Sequence, residues 1–353
     1  MAAWPFFVPQ FFPEMARLGN DSLCLLVMGG VWACLLALLP ARQGRPWVAL
    51  GLGALLGAGL LTKAFFQPIG AGVALLLASR LWQTRSRVAA LDLALALGAA
   101  LLIGGGWYLA KWHATGSLIG SDEFIRMNRE GGLWSALQDD FSGLQFLRGL
   151  WGIVASFLWG GTWSQVTVSP LILAPLILLL ALPVLRWAKG LPKGDRVHWA
   201  PLALAVPMAA GLGYHVLVWL AGYGAETPGW YFHILAAPLG FAVASGWRAS
   251  RGMAVLVASA AVIADGLWAC QISMFSGCIG PLGADRGYNL GHAACLVDGR
   301  TLSRVAFPVT GALSLATGVG LALLATTLVF RAARTAQATD PLGVSTPTSD
   351  TDI

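Results

Sequence analysis

Ser22-Leu-Cys-Leu-Leu-Val-Met-Gly-Gly-Val-Trp-Ala-Cys-Leu-Leu-Ala-Leu-Leu-Pro40 contains no charged side chain. A surface helix of a soluble domain turns one polar face to water, and this run has no such face. At 1.5 Å rise per residue it is long enough to cross a hydrocarbon core of roughly 30 Å. The rest of the chain extends the pattern. Of 353 residues, 57% are apolar and 11% charged, against roughly a quarter charged in soluble domains. Such a chain has too little polar surface to face water, so the expected fold is all-α, a polytopic transmembrane helix bundle.

Reading outward from Ser22–Pro40, further spans are predicted at Pro46–Leu61, Phe65–Trp82, Val88–Trp107, Val168–Trp187, Trp199–Leu220, Trp230–Trp247, Gly252–Met274 and Val305–Phe330, about nine helices in all. The first fifteen residues are apolar but carry Pro5, Pro9 and Pro13. Proline at that spacing breaks a regular helix, so a re-entrant or interfacial piece is expected. Phe146–Trp163 reads either as a tenth helix or as an amphipathic segment on the membrane surface. The expected organisation is one transmembrane domain over 1–334, with extracytoplasmic loops 107–167 and 275–304. A disordered cytoplasmic tail, 335–353, follows it.

Basic residues set the expected orientation. Arg42/Arg45, Arg80/Arg85/Arg87, Arg186/Lys189/Lys193/Arg196, Arg248/Arg251 and Arg331/Arg334 fall in every second loop. The excess of Lys and Arg in cytoplasmic loops makes that side cytoplasmic, provided Phe146–Trp163 does not cross. The net charge of +6 is then an orientation signal, and no nucleic-acid partner is implied. Trp47, Trp82, Trp107, Trp112, Trp187, Trp199, Trp230 and Trp247 stand at the ends of apolar runs. The indole suits that depth, with an apolar body and a polar N–H. Glycines inside the helices, Gly51, Gly53, Gly57 and Gly59, read as close-packing positions.

The opposite loops hold most of the remaining chemistry. Asn20-Asp21 opens the first span, either capping it or presenting Asp21 to an outer cavity. Lys63 stands alone between two apolar helices, either snorkelling or contacting a phosphate. Trp107-Tyr-Leu-Ala-Lys111-Trp-His113 runs into a loop with Asp122/Glu123 and Asp139/Asp140. Adjacent acids on a loop are usually solvated, and no convincing metal-ligand set is present. Glu226-Thr-Pro-Gly-Trp-Tyr231-Phe-His233 opens a late helix, where Glu226 would favour the N-terminal dipole. Tyr231, His233 and His215 lie within membrane boundaries, where polar groups are functional or paired. Cys278 and Cys295 flank one outer loop, and an oxidising compartment makes a disulfide plausible. It would be worth about 3 kcal/mol in the chain-entropy account. Two free thiols, or a pairing with Cys270, are the alternatives. Cys24 and Cys34 read as packing residues.

In order, a Pro-rich apolar stretch precedes Asn20-Asp21, a Gly-rich helix ends in Thr62-Lys63, Trp107-Tyr108 leads to Gly116, and Gly229-Trp230-Tyr231 follows a late outer turn. This series resembles the GT-C class of integral-membrane glycosyltransferases over residues 5–250. The resemblance implies a cell-envelope enzyme transferring a hexosyl or pentosyl group from a polyprenyl-phosphate carrier. The acceptor would be a glycan, a lipid or a protein on the extracytoplasmic face. It assigns catalysis to Asp21 and Lys63, and substrate contacts to Asn20, Lys111, His113, Glu226, Tyr231 and His233. A divalent metal is used by some of the class. The pattern departs in two places. Trp230 replaces the usual Arg, and the catalytic-loop region expected before Asn20 is lacking, which implies a shortened, inactive or partner-dependent member. A lipid-linked saccharide transporter or flippase, and a non-catalytic assembly protein, are the competing readings. A transporter should show internal repeats, and none stands out.

Overall fold

The computed structural model describes residues 4–11, 15, 20–116, 138, 142–159, 168–222 and 229–275. All regular structure among them is helical. The α-helices are α1 (Asp21–Leu38), α2 (Pro46–Thr62), α3 (Phe66–Thr84), α4 (Arg87–Ala100), α5 (Gly106–Thr115), α6 (Gly143–Leu158), α7 (Pro170–Gly190), α8 (Arg196–Gly222), α9 (Ala236–Gly246) and α10 (Arg251–Phe275). A π-turn, Leu101–Gly105, joins α4 to α5 without a break, and 3₁₀ turns occupy Trp4–Phe7, Leu191–Lys193 and Gly229–Leu235.

Among the described residues, four stretches are long and apolar enough to cross a membrane: Asp21–Leu38, Arg87–Thr115, Leu171–Lys193 and Arg251–Trp268. Two expectations are corrected. Trp230–Trp247 is not one regular spanning helix, because its start is wound as 3₁₀ and only Ala236–Gly246 is α. Val88–Trp107 belongs to a longer element that continues through the π-turn to Thr115. The N-terminal segment opens on a single 3₁₀ turn and buries Trp4, Val8, Gln10 and Phe11, and Phe11 and Met15 are α-helical. The predicted span Val305–Phe330 and the tail lie outside the described residues.

Residues Met1–Leu173 and Leu182–Gly246 form one unit, and Ala174–Ala181 with Trp247–Ile353 form another. In the first, α1 buries Cys24, Val27, Met28, Val31, Leu35 and Leu38, one stripe at helical spacing. It packs on a core with Leu52 and Leu56 of α2, Ile69, Val73 and Leu77 of α3, and Leu204 and Met208 of α8. Glycine sets the closest approaches. A Cβ at Gly53 would strike the carbonyl oxygen of Ala96, and one at Gly72 that of Ala203. Gly57 and Gly59 are also crowded, as predicted, but Gly51 has open space around it. In the second unit Ser250 caps α10, accepting from the Met253 N–H at 3.1 Å. Met253, Val257, Ala260, Ala264 and Leu267 are buried along that helix.

The loops 39–45, 85–86 and 191–195 of the first unit meet at one end, because Arg196 reaches across them. It donates to Gln83 Oε1 at 2.8 Å and to the Leu39 carbonyl at 3.3 Å. One member of the basic clusters, Arg80, is not an exposed loop charge. Arg80 is only 2% exposed and Asp92 is fully buried. The guanidinium donates to Asp92 Oδ2 at 2.7 Å and to the Ala41 carbonyl at 3.1 Å, and the Arg45 N–H donates to Asp92 Oδ1 at 3.3 Å. The pair ties α3 to α4 and closes the end of α1. Arg42, Arg45, Arg85, Arg87, Arg186, Lys189 and Lys193 remain exposed. Asp195, also exposed, accepts from the ring and the backbone N–H of His198, both at 3.0 Å, and these bonds hold its carboxyl below the ordinary carboxylate range. Trp187 also departs from expectation: it is buried with Leu191 and Ala242 rather than placed at an interface.

Removing one partner of a buried pair strands the other charge, at a cost of about 3–5 kcal/mol. Asp92→Ala is therefore expected to destabilise the protein by that amount in detergent unfolding. Replacing both Arg80 and Asp92 by apolar residues of similar volume should recover most of the loss.

Candidate functional site

At the other end of the first unit, α1 begins beside the point where α2 stops. The last carbonyls of a helix have no partner within it, and here they are met from elsewhere. Gly59 O accepts from Thr62 Oγ1 at 2.6 Å and from the Lys63 N–H at 3.0 Å. Leu60 O accepts from the Tyr108 hydroxyl at 2.9 Å, and Thr62 O from Asn20 Nδ2 at 2.6 Å. The Cys24 thiol donates to Thr62 Oγ1 at 3.5 Å. The capping reading of Asn20 is thereby corrected. Asn20 occupies the N-cap position of α1, but its side chain makes no cap hydrogen bond there, because its amide is committed to α2.

This juxtaposition brings Asp21 and Lys63 together as an ion pair, with Lys63 Nζ donating to Asp21 Oδ1. Each charge suits its position: a carboxylate in the first turn of a helix and an ammonium just past the end of another are both favoured by the helix dipoles. The Lys63 ammonium also lies 5.0 Å from the Phe65 ring centre and 5.2 Å from that of Tyr231. The two rings pack at 4.5 Å. Cation–π contacts are worth about 0.5–2 kcal/mol, more as water is excluded. Asp21 is the more enclosed member, its side chain 9% exposed against 21% for Lys63.

His233 is fully buried between Phe11, at 5.4 Å ring to ring, and Phe157, at 5.0 Å. Its Nε2 lies 2.7 Å from the Phe157 carbonyl. A carbonyl only accepts, so Nε2 carries a proton. Nδ1 is buried with no partner among the described residues.

The end of α6 positions these parts. Ser156 Oγ accepts from the Gly229 N–H at 2.7 Å, Phe157 O from His233, and Leu158 O from the Gln10 N–H at 3.2 Å. Three successive residues thus hold the 3₁₀ turn Gly229–Leu235 and the N-terminal segment. Gly229 is required there, because a Cβ would overlap the Ile153 carbonyl.

Of the expected site residues, Asn20, Asp21, Lys63 and Tyr231 meet at one place, and His233 lies in the turn that carries Tyr231. Lys111 and His113 do not join them. Lys111 sits over the Trp107 ring at 5.3 Å, His113 stacks on Trp112 at 5.8 Å and is exposed, and neither bonds to Asp21 or Lys63. Glu226, Cys278 and Cys295, with Cys270 as a side chain and the loop acids Asp122, Glu123, Asp139 and Asp140, lie outside the described residues, as does the His215 side chain. Among the described residues no three His, Cys, Asp or Glu side chains are grouped to hold a metal. Sequence reading missed Phe65, Gln10 and the α6 anchors. Gln10, the one polar side chain in Pro9-Gln-Phe-Phe-Pro13, was a signal; the backbone acceptors of α6 left none. No family model, curated protein or solved structure matches the chain.

Ser156→Ala removes one acceptor and should cost about 1 kcal/mol. Gly229→Ala must also part the turn from α6, and overpacking costs about 1–3 kcal/mol. Thermal unfolding in detergent should therefore rank Gly229→Ala below Ser156→Ala, and equal midpoints would show that the close approach carries no weight.

Proposed function

We propose that this protein is a membrane glycosyltransferase-like protein. It would transfer a sugar from a polyprenyl-phosphate carrier to an acceptor on the extracytoplasmic face, with the basic end in the cytoplasm and about nine spanning helices. The observation that carries the reading is the convergence of Asp21 and Lys63, 42 positions apart in sequence, beneath Tyr231. An acid and a base beside an aromatic wall, at the end remote from the arginines, are the groups this reaction needs.

Asp21 accepts the proton of the acceptor hydroxyl. The hydroxyl oxygen forms its bond to the anomeric carbon as the bond from that carbon to the phosphate oxygen breaks. The electron pair leaves with the polyprenyl phosphate, whose added charge Lys63 stabilises. His233, fully buried, would position the turn that carries Tyr231 rather than meet the sugar directly. Asp21 and Lys63 neutralise each other in this structure, so substrate must separate them, the phosphate taking Lys63 and the hydroxyl taking Asp21.

The same closed pair favours a second reading, a non-catalytic membrane protein in which Asp21–Lys63 is only a clip between α1 and α2. The two readings differ in what substitution does. If the pair is catalytic, Asp21→Asn should lower sugar transfer from a lipid extract by about 10²–10⁴-fold, and Lys63→Ala by about 10²–10³-fold, with the fold retained. If it is a clip, Lys63→Ala strands a buried carboxylate and lowers the unfolding midpoint more than Asp21→Asn does, with no transfer to lose. Unchanged transfer in both variants removes the assignment.

A further inference from the structure

We propose that the outward face of α6 is a membrane-interface surface, seated at the boundary between lipid headgroups and acyl chains. At 16 residues α6 is about 24 Å long, too short to cross a core of roughly 30 Å. Its surroundings divide into three sectors. At about 100° per residue, Leu144, Leu147, Trp151 and Val154 fall on a strip about 80° wide. These side chains are 60%, 62%, 41% and 42% exposed. Gln145 and Arg148, both exposed, flank one edge of that strip. The opposite side holds Gly149, buried, with Ile153 and Ser156, which meet the turn Gly229–Leu235.

An apolar strip with a cationic and amide edge matches one surrounding. The strip belongs with acyl chains, the edge with headgroups and water, and the third side with protein. Trp151 stands within the strip, where an indole at headgroup depth is favoured. A protein partner would cover strip and edge together, which leaves the division between them unexplained. The inference stands apart from the proposed reaction. Its consequence for the site is that residues 156–158, which hold Gly229, His233 and Gln10, are fixed at interfacial depth.

The test places a nitroxide at single cysteines, Leu147→Cys, Val154→Cys, Gln145→Cys and Arg148→Cys. The background is the full chain with its native cysteines replaced, reconstituted in phosphatidylcholine–phosphatidylglycerol bilayers. Relaxation by oxygen reports acyl chains, and relaxation by a water-soluble nickel chelate reports water. The expected result is severalfold stronger relaxation by oxygen than by the chelate at 147 and 154, and the reverse order at 145 and 148. Chelate-dominated relaxation at all four positions overturns the proposal. So does oxygen-dominated relaxation at all four, which would embed the helix, and so does shielding of 147 and 154 from both reagents, which would mean a protein cover. A benzophenone side chain at position 147, in the chain with its native cysteines, gives an independent reading if the cysteine-free background does not fold. Phospholipid adducts by mass support the proposal, and protein adducts or none overturn it.

Discussion

The unpaired backbone groups at the ends of α1 and α2 are the constraint on which the first unit depends. In apolar surroundings water does not satisfy them, and an orphaned buried polar group costs about 1–3 kcal/mol. The chain meets the requirement with side chains from distant positions. At one end, Asn20 and Tyr108 close the carbonyls of α2. At the other, Arg80 and Arg196 close those following α1. These bonds fix which helices are neighbours and where each one stops. The candidate site exists because α1 must begin where α2 ends.

Electrostatics at the two ends follow different rules. Arg80–Asp92 is sealed from solvent on both sides and held by backbone partners as well, the arrangement of a structural tie. Asp21–Lys63 is less sealed, with the Lys63 side chain partly exposed and its ammonium bracketed by two aromatic rings. A pair of that kind can exchange partners, since the ammonium does not have to leave a dry interior to do so. The two pairs therefore differ in burial, although both are one acid and one base on neighbouring helices.

Helix α6 links the two themes. Its C-terminal end meets the site elements through three successive residues, and one side presents leucine, tryptophan and valine outward. The N-terminal segment and the turn Gly229–Leu235 are both anchored to this short helix. The 3₁₀ winding of that turn places His233 against the Phe157 carbonyl, and among the described residues its buried Nδ1 has no hydrogen-bond partner.

The helical, membrane-like character was legible in the residues, since uncharged apolar runs of that length leave no polar face. So were most helix positions and the candidacy of Asp21, Lys63 and Tyr231, each a polar side chain stranded at the edge of an apolar run. Which polar groups are partners became visible only in the packed helices. Asn20 looked like a cap, yet it serves α2 across 42 positions. Arg80 looked like one more cytoplasmic charge, yet it is buried on Asp92. Lys111 and His113 share a helix that touches α2 through Tyr108, yet their contacts are with Trp107 and Trp112 of their own helix. Spacing along one chain reports the face of a helix, whereas pairing depends on which helix ends are brought level, and that is fixed by packing at positions such as Gly53 and Gly72.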